Sequence, residues 1–304
     1  MSISQNLSSV NCPLGHQQAG VFLRAKDFNR RITEDAFCYY RCSACGLIFL
    51  SPIPANLGSY YPTDYYSLPA SIEKLDQFAI GLRYQIGMIQ RFVQRGRLLE
   101  IGPAYGAFAR LAKLSGFDVE VIEMDDRCCR YLEQVVGVRT ITSNDPGQVL
   151  HTLEPKNVIA LWHVIEHLPN PWMILEQAAA KLSPGGILLI AAPNPDAVQF
   201  RILKSRWPHV DAPRHLQLIP VNLLIQQLAP LGLKPVMVTS NDQGGRSWNV
   251  FGWQRTLMNL SHQQHIRFFL KALGLILGKV LGVFESGELK GSAYTAIFQK
   301  VKTV

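Results

Sequence analysis

No apolar run in the 304-residue sequence reaches the roughly 18 residues a helix needs to cross a bilayer, and the opening MSISQNLSSVNC lacks the apolar stretch of a secretory signal. The expected location is therefore cytoplasmic. Charged residues are scarce, at 17% against 48% apolar, which excludes a disordered chain and leaves a globular one. Cysteine is scarce too, with six in all and four of them before residue 46. That is too few for a disulfide scaffold, and the clustering points to metal ligation. A basic run with interleaved aromatics is missing, as is an Asn-Pro-Pro-Tyr motif for base amino groups; Pro193 to Pro195 is only a partial echo. Nucleic acid is accordingly not the favoured partner, although 30 Lys and Arg against 22 Asp and Glu give a net charge of +8 that suits an anionic one.

What is present falls into three stretches. Residues 1–67 hold Cys12, Cys38, Cys42 and Cys45 and end in the irregular run SPIPANLGSYYPTDYYSLP, which reads as a small module and its connector. Within 68–95 Leu75, Phe78, Ala79, Leu82, Ile86, Ile89, Phe92 and Val93 recur at helical spacing, predicting one amphipathic linking helix that ends at Gly96. From 96 to 304 short apolar runs alternate with helical stretches: LLEI, AFARLAKLSG, VEVIE, RCCRYLEQVVG and onward. This predicts an α/β fold, a parallel sheet with helices on both faces that binds ligands at the carboxyl ends of its strands. The rhythm stops after Asn241, and about 245–291 reads as a helical insertion before a last strand, AYTAIFQKV. There Gly274, Gly278 and Gly282 form one stripe, so residues 264–284 pack against this domain, form a homodimer, or make a peripheral membrane contact.

The segment LLEIGPAYG places Glu100 at the end of a strand and the loop Gly102, Pro103, Ala104, Tyr105, Gly106 at the start of a helix, where backbone can approach a ligand closely. Glu123 closes the next strand, at the distance where an acid receives two ribose hydroxyls. Loop and acid predict an adenosine site. The spacing is not the dinucleotide G-x-G-x-x-G, and a carboxylate beside the loop repels a pyrophosphate yet accepts hydrogen bonds from an ammonium. S-adenosylmethionine fits better than NAD.

From Leu98 to Thr239 the sequence resembles the class I S-adenosylmethionine-dependent methyltransferases. LLEIGPAYGAFARLAKLSGFDVEVIEMD is similar to the family's first two motifs, and NVIALWHVIEHLPNPWMILEQAAAKLSPGGILLIAAPN to its fourth strand, following helix and fifth strand. The resemblance implies a Rossmann-like, seven-stranded, mostly parallel sheet and S-adenosylmethionine as cofactor. It implies Glu100, Gly102, Pro103, Ala104 and Gly106 around the methionine part, Glu123 on the ribose, Met124 along one adenine face and Asn144 or Asp145 at the adenine edge. Leu161, Trp162 and His163 would lie near the methionine end. Ala104 stands where many members have glycine, and Asn157 where many have aspartate.

Methyl transfer to a hydroxyl needs the acceptor oriented and its proton removed. Histidine suits that task, and by location His163, His167 and His215 are the candidate catalytic residues. The segment RWPHVDAPRHLQLIP, with Trp207, His209, Asp211, Arg214 and His215, is more polar and aromatic than a connector requires and is expected in the acceptor pocket. His163, Glu166 and His167 are also similar to the acid-x-x-Glu-His loop by which ubiquinone-type O-methyltransferases hold a divalent ion. His163 replaces the acid, so a catalytic metal is not expected. Arg201, Lys204, Arg206 and Arg214 suit an acceptor bearing phosphate or carboxylate, such as a nucleotide- or lipid-linked sugar.

Cys42 and Cys45 in RCSACG form one knuckle, and Cys12 with His16 in NCPLGH supplies a second pair, an accepted set for a structural zinc. The arrangement resembles the N-terminal zinc-ribbon-like module that precedes some small-molecule and sugar methyltransferases, with Gly15 where the second cysteine usually stands. Either His16 fills that vacancy or the site is degenerate. The leading expectation is O-methylation of a sugar or related metabolite. The alternatives are an RNA methyltransferase and a non-catalytic methyltransferase-like scaffold at a membrane surface.

Overall fold

The computed structural model describes residues 10–62 and 64–301, so the first nine residues of the N-terminal module, Thr63 and the last three residues lie outside it. The chain begins with β1 (Ala19–Lys26), β2 (Ala36–Cys42) and β3 (Ile48–Leu50), then α1 (Ile72–Ile80) and α2 (Arg83–Gln90). An alternating series follows: β4 (Gly96–Ile101), α3 (Ala107–Leu114), β5 (Phe117–Glu123), α4 (Asp126–Tyr131), β6 (Arg139–Thr142), α5 (Pro146–Leu150), β7 (Lys156–Trp162), α6 (Pro171–Lys181) and β8 (Leu182–Pro193). The remainder is α7 (Val198–Leu203), β9 (Gln217–Leu218), α8 (Val221–Leu228), β10 (Leu233–Thr239), α9 (Gln243–Met258), α10 (Gln264–Glu285) and β11 (Ala293–Lys300).

Seven strands form one sheet in the order β10-β11-β8-β7-β4-β5-β6, with β11 antiparallel to both neighbours and the other pairs parallel. The central strands are apolar on both faces because helices cover both. Leu99, Ile101, Ile159 and Leu161 point to one core, and their alternates Leu98, Val158 and Ala160 to the other. Each buried leucine or isoleucine here is worth about 1.5–3 kcal/mol relative to exposure. The carboxyl ends of β4 and β7 lie side by side at the middle of the sheet, where open α/β sheets leave a crevice.

The expected single helix over Ile72 to Gln94 is two. Gly81 and Leu82 donate to the carbonyls of Phe78 and Ala79, which tightens the last turn of α1 and redirects the chain. As a result α1 pairs with α3 through Asp76 and Arg110 at 2.8 Å, while α2 turns Tyr84 and Gln85 toward the crevice. Helical periodicity continues through such a break, which is why the sequence hides it.

The N-terminal strands form a second, antiparallel sheet in the order β1-β2-β3-β9. Its fourth strand comes from the segment after β8. Tyr39, Ile48 and Leu50 share a core with Phe200, Trp207, Leu216 and Leu218. Beside it Arg214 pairs with Asp27 at 2.6 Å, both side chains fully buried, and with Asp211 at 2.8 Å.

Helices α9 and α10 form a hairpin. A Cβ on Gly274 or Gly278 would come within 2.5 or 3.0 Å of the Gln254 or Val250 backbone, so these glycines set the close approach. Gly282 faces open space, and the stripe uses only two of its three members. The outer face of α10 exposes Phe268, Phe269, Ile276, Val280, Val283 and Phe284. No helix among the described residues is long and apolar enough to cross a membrane.

Candidate active site

Strand β4 ends in Glu100 and Ile101, and the chain then turns through Gly102 with φ +69°. A side chain on Gly102 would collide with Val164, so backbone alone fits between the loop and the end of β7. Ala104 keeps the left-handed conformation, φ 53°, that glycine adopts more readily. Glu123 fixes this loop: its carboxylate accepts from the backbone N–H of Ala104 at 2.9 Å, Met124 at 2.7 Å and Asp125 at 3.0 Å. Burial raises its pKa, and those three N–H groups pull it back only in part. A carboxylate offers about four acceptor positions, so a ribose hydroxyl can still be received.

The Gly102 loop forms one wall of a cavity of about 490 Å³. Glu100, Gly102, Pro103 and Ala104 line it from β4, and Trp162 and His163 from the end of β7. Tyr84 and Gln85 of α2 and Ser247 and Trp248 of α9 close the far side. A Cβ on Gly244 would collide with Tyr84 Oη, which shows how closely α9 seals against α2. Glu100 is 3% exposed and its Oε2 has no hydrogen-bond partner. Burial, reinforced by the Glu123 charge, pushes its pKa up to about 8. Such a group suits a cationic ligand atom, and the ammonium of S-adenosylmethionine has that character. The residues present therefore fit the cofactor.

The other sequence-derived positions are distributed differently. Gly106, with φ +76°, sits at the start of α3 against Leu132. Met124 is 65% exposed beside Glu123, and Leu161 is fully buried in the sheet core. Asp145 caps α5 by accepting from Gln148 N–H, and Asn144 precedes it. Of the three candidate histidines, His163 alone is among the residues lining the cavity. It adopts φ 56° and packs at a tilt of 59° against Trp248 with ring centroids 4.7 Å apart.

His167 and His215 sit behind it, packed edge to face at 4.6 Å. Nδ1 of His167 lies 3.0 Å from the Arg214 carbonyl and 3.0 Å from Tyr61 Oη, and Nδ1 of His215 lies 2.8 Å from the His209 carbonyl. Burial pulls the His167 pKa down to about 4, and that of His209 to about 3. Between them and His163 stands Glu166, buried, with Oε1 3.6 Å from His163 Nδ1. Burial pushes its pKa up, but the surrounding imidazoles outweigh that and hold it at about 2. Sequence reasoning did not find Tyr84, Gln85, Ser247 and Trp248; no motif marks them.

At the module's end of the molecule, one ligand atom from each of Cys12, His16, Cys42 and Cys45 lies within 4.8 Å of the others. Cys12 and Cys45 sulfurs are 3.7 Å apart, and Cys42 Sγ is 3.6 Å from His16 Nδ1. Two tight turns make the cluster, Gly15 donating to the Cys12 carbonyl and Gly46 to that of Cys42. Sulfurs bound at about 2.3 Å in a tetrahedron stand about 3.8 Å apart, so the donor set fits zinc in spacing and in kind. Burial raises the Cys42 pKa, but the N–H groups of Cys45 and Ala44 bring it below the usual thiol value. Cys38 is outside the cluster.

The family described as a methyltransferase domain matches residues 79–238, just over half of the chain. No curated protein matches. Among solved structures, the chain is similar to phosphoethanolamine N-methyltransferase 2 of Haemonchus contortus in complex with S-adenosyl-L-methionine. That match has 13% identity and a TM-score of 0.54, and covers 93% of this chain and 69% of that one. It is also similar to a SAM-dependent methyltransferase from Archaeoglobus fulgidus, with 18% identity and a TM-score of 0.51, over 74% of this chain and 94% of that one. At these identities the likeness is one of fold.

Proposed function

The chain belongs to the methyltransferase-domain family and is a class I S-adenosylmethionine-dependent methyltransferase, and from that premise we propose that it methylates a hydroxyl oxygen of a small molecule, a sugar or related metabolite. The observation that carries the reading is the shared cavity, in which the unpartnered carboxylate of Glu100 and the ring of His163 both present themselves. When bound, S-adenosylmethionine supplies an electrophilic methyl group on a sulfonium. Glu100 holds the cofactor's ammonium, Glu123 its ribose, and Met124 lies along the adenine. His163 takes the proton of the acceptor hydroxyl, a step that general-base catalysis requires for an oxygen nucleophile. Tyr84 and Trp248 exclude water from the reacting end. His167 and His215 hold the loop that presents His163. Cys12, His16, Cys42 and Cys45 bind a structural zinc, since four protein ligands leave no open position.

The test starts with calorimetric titration of S-adenosylmethionine and S-adenosylhomocysteine into wild type and Glu123→Ala. It continues with nucleotide sugars and lipid-linked glycans as acceptors for wild type and His163→Gln. Cofactor binding with methylated product lost in His163→Gln supports the proposal. Binding without product from any hydroxyl acceptor overturns it in favour of another acceptor atom or a scaffold. The exposed apolar face of α10 favours a lipid-linked acceptor, because its exposed apolar residues stand beside Lys271 and Lys279, the arrangement of a helix lying on an anionic bilayer. Sedimentation with anionic vesicles tests this; a concentration-dependent dimer that leaves the vesicles in solution would give that face to a second copy.

A further inference from the structure

Glu166 is 2% exposed, yet neither of its carboxylate oxygens has a hydrogen-bond partner. A buried carboxylate in that condition needs a compensating cation. Arg214, from the segment that hydrogen-bonds this loop through Leu216 N–H to the Glu166 carbonyl, cannot serve, because its guanidinium is committed to Asp27, Asp211 and the Tyr60 carbonyl. His163 Nδ1, at 3.6 Å from Oε1, is at ion-pair distance when its ring is protonated but too far for a hydrogen bond, and it leaves Oε2 without a partner.

The histidines around it are already oriented. One nitrogen each from His167 and His215 and one Glu166 oxygen lie within 4.8 Å of one another. The Nδ1 atoms face backbone carbonyls, of Arg214 for His167 and of His209 for His215. A carbonyl can only accept, so Nδ1 carries the proton in both rings and Nε2 carries the lone pair. An imidazole that donates one N–H to a backbone carbonyl and holds its other nitrogen free is the usual state of a metal-ligating histidine. Two imidazoles, each with one nitrogen free of a proton, thus gather around an unpartnered buried carboxylate, and a positive centre among them would satisfy all three.

We propose that Glu166, His167 and His215 bind a divalent first-row transition ion, in a site separate from the cysteine cluster. Imidazole and carboxylate donors favour zinc, iron(II) or manganese over calcium. Donors held about 2.0–2.2 Å from such an ion stand about 3.4 Å apart, so side-chain movements of about 1 Å complete the shell. Three protein ligands leave at least one position open for water or another oxygen. The ion ties the loop after β7 to the segment before β9 and stands directly behind His163. The ligand set includes His215, which sequence spacing does not connect to the Glu166 loop, and excludes His163. Binding is independent of whether the protein methylates oxygen, and its test reads metal rather than methyl transfer.

The experiment is a cobalt(II) titration of the full chain stripped of metal, followed by absorption spectroscopy and metal analysis. Cobalt in the cysteine cluster gives intense thiolate charge-transfer bands; cobalt on two imidazoles and a carboxylate gives weak visible bands and none of the former. The expected wild-type result is a saturable set of weak bands at micromolar cobalt whose stoichiometry is one per chain and which survives Cys42→Ser. Glu166→Gln and His215→Gln should each remove that equivalent and leave the thiolate bands, which also report that the variant is folded. Cobalt bound only with thiolate bands in wild type, or an undiminished second equivalent in folded Glu166→Gln, overturns the proposal. The first outcome would leave a proton shared between Glu166 and a histidine as the compensating charge.

Discussion

The two walls of the cavity are built in different ways. The wall proposed for the nucleoside is local: Glu100, Gly102, Pro103 and Ala104 come from one strand end and its turn, and Glu123 at the end of the adjacent parallel strand holds that turn through the N–H of Ala104. The wall proposed for the acceptor is assembled from afar. Tyr84 and Gln85 arrive from α2, Trp248 from α9, and the histidine cluster behind His163 joins the loop after β7, Tyr61 of the connector and the segment before β9. A local wall is robust and generic, whereas an assembled wall depends on every segment that holds it. One cofactor can therefore serve many acceptors on the same sheet.

The sharpest way to break that contrast is through Arg214. Arg214→Met leaves Asp27 and Asp211 facing each other without a counter-ion in a dry site. The expected loss is about 3–5 kcal/mol of unfolding free energy in urea. Cofactor affinity of the remaining folded protein should change by less than about threefold, because no atom of the nucleoside wall touches this triad. A parallel loss of cofactor binding would show that the two walls are one unit. On the other side, Glu123→Ala removes the acceptor of three loop N–H groups and, as proposed, of the ribose. Charge-assisted hydrogen bonds are worth about 1.5–3 kcal/mol each, so S-adenosylmethionine affinity should fall at least about a hundredfold in calorimetry. An effect below about fivefold would remove Glu123 from the binding site.

The strand ends and turn of the proposed nucleoside wall were legible in the sequence because their signals are short-range. An acid at a strand end, a glycine turn and a second acid at the end of the next strand can be read from one stretch, and the seven-stranded sheet followed from alternating apolar runs. The same locality made the cysteine pairs readable. The acceptor wall was not legible in this way. The two-residue strand β9 has no periodicity to betray its pairing with β3, and Gly81 breaks a helix whose apolar spacing runs on unaltered. His163, His167 and His215 look alike as letters, and only tertiary packing puts one at the cavity and two behind it. Trp248 lies in a helix with little segregation of apolar residues, so nothing marked it as a wall.

Glu100 offers a finer test of the local wall. Burial and the Glu123 charge raise its pKa to about 8, so it is mostly protonated at pH 7. An ammonium ligand binds the ionised form, and binding at neutral pH must release a proton. Affinity should therefore tighten by up to about tenfold per pH unit from pH 6 to 8 and level off above, with calorimetric heats that vary with the buffer's ionisation enthalpy. In the free protein the sign is opposite for stability: a raised carboxyl pKa makes its stabilising contribution at low pH and loses it as pH rises toward about 8. Glu100→Gln should flatten both profiles, whereas a flat wild-type profile would mean that the carboxyl is already ionised.

The smallest effect on stability is expected on the outermost element. Phe269→Asp and Ile276→Asp lie on the exposed face of α10, away from Gly274 and Gly278, which pack on α9. Surface changes of this kind alter unfolding free energy by about 0.5 kcal/mol or less. If that face contacts a bilayer, the same substitutions abolish sedimentation with anionic vesicles, since each replaces an inserting apolar group by a charge that the surface repels. Cofactor affinity should be untouched in both variants. Loss of vesicle binding with stability and cofactor affinity intact would mark α10 as an addition to the acceptor wall alone, setting where the enzyme meets its acceptor while the nucleoside wall stays as it is.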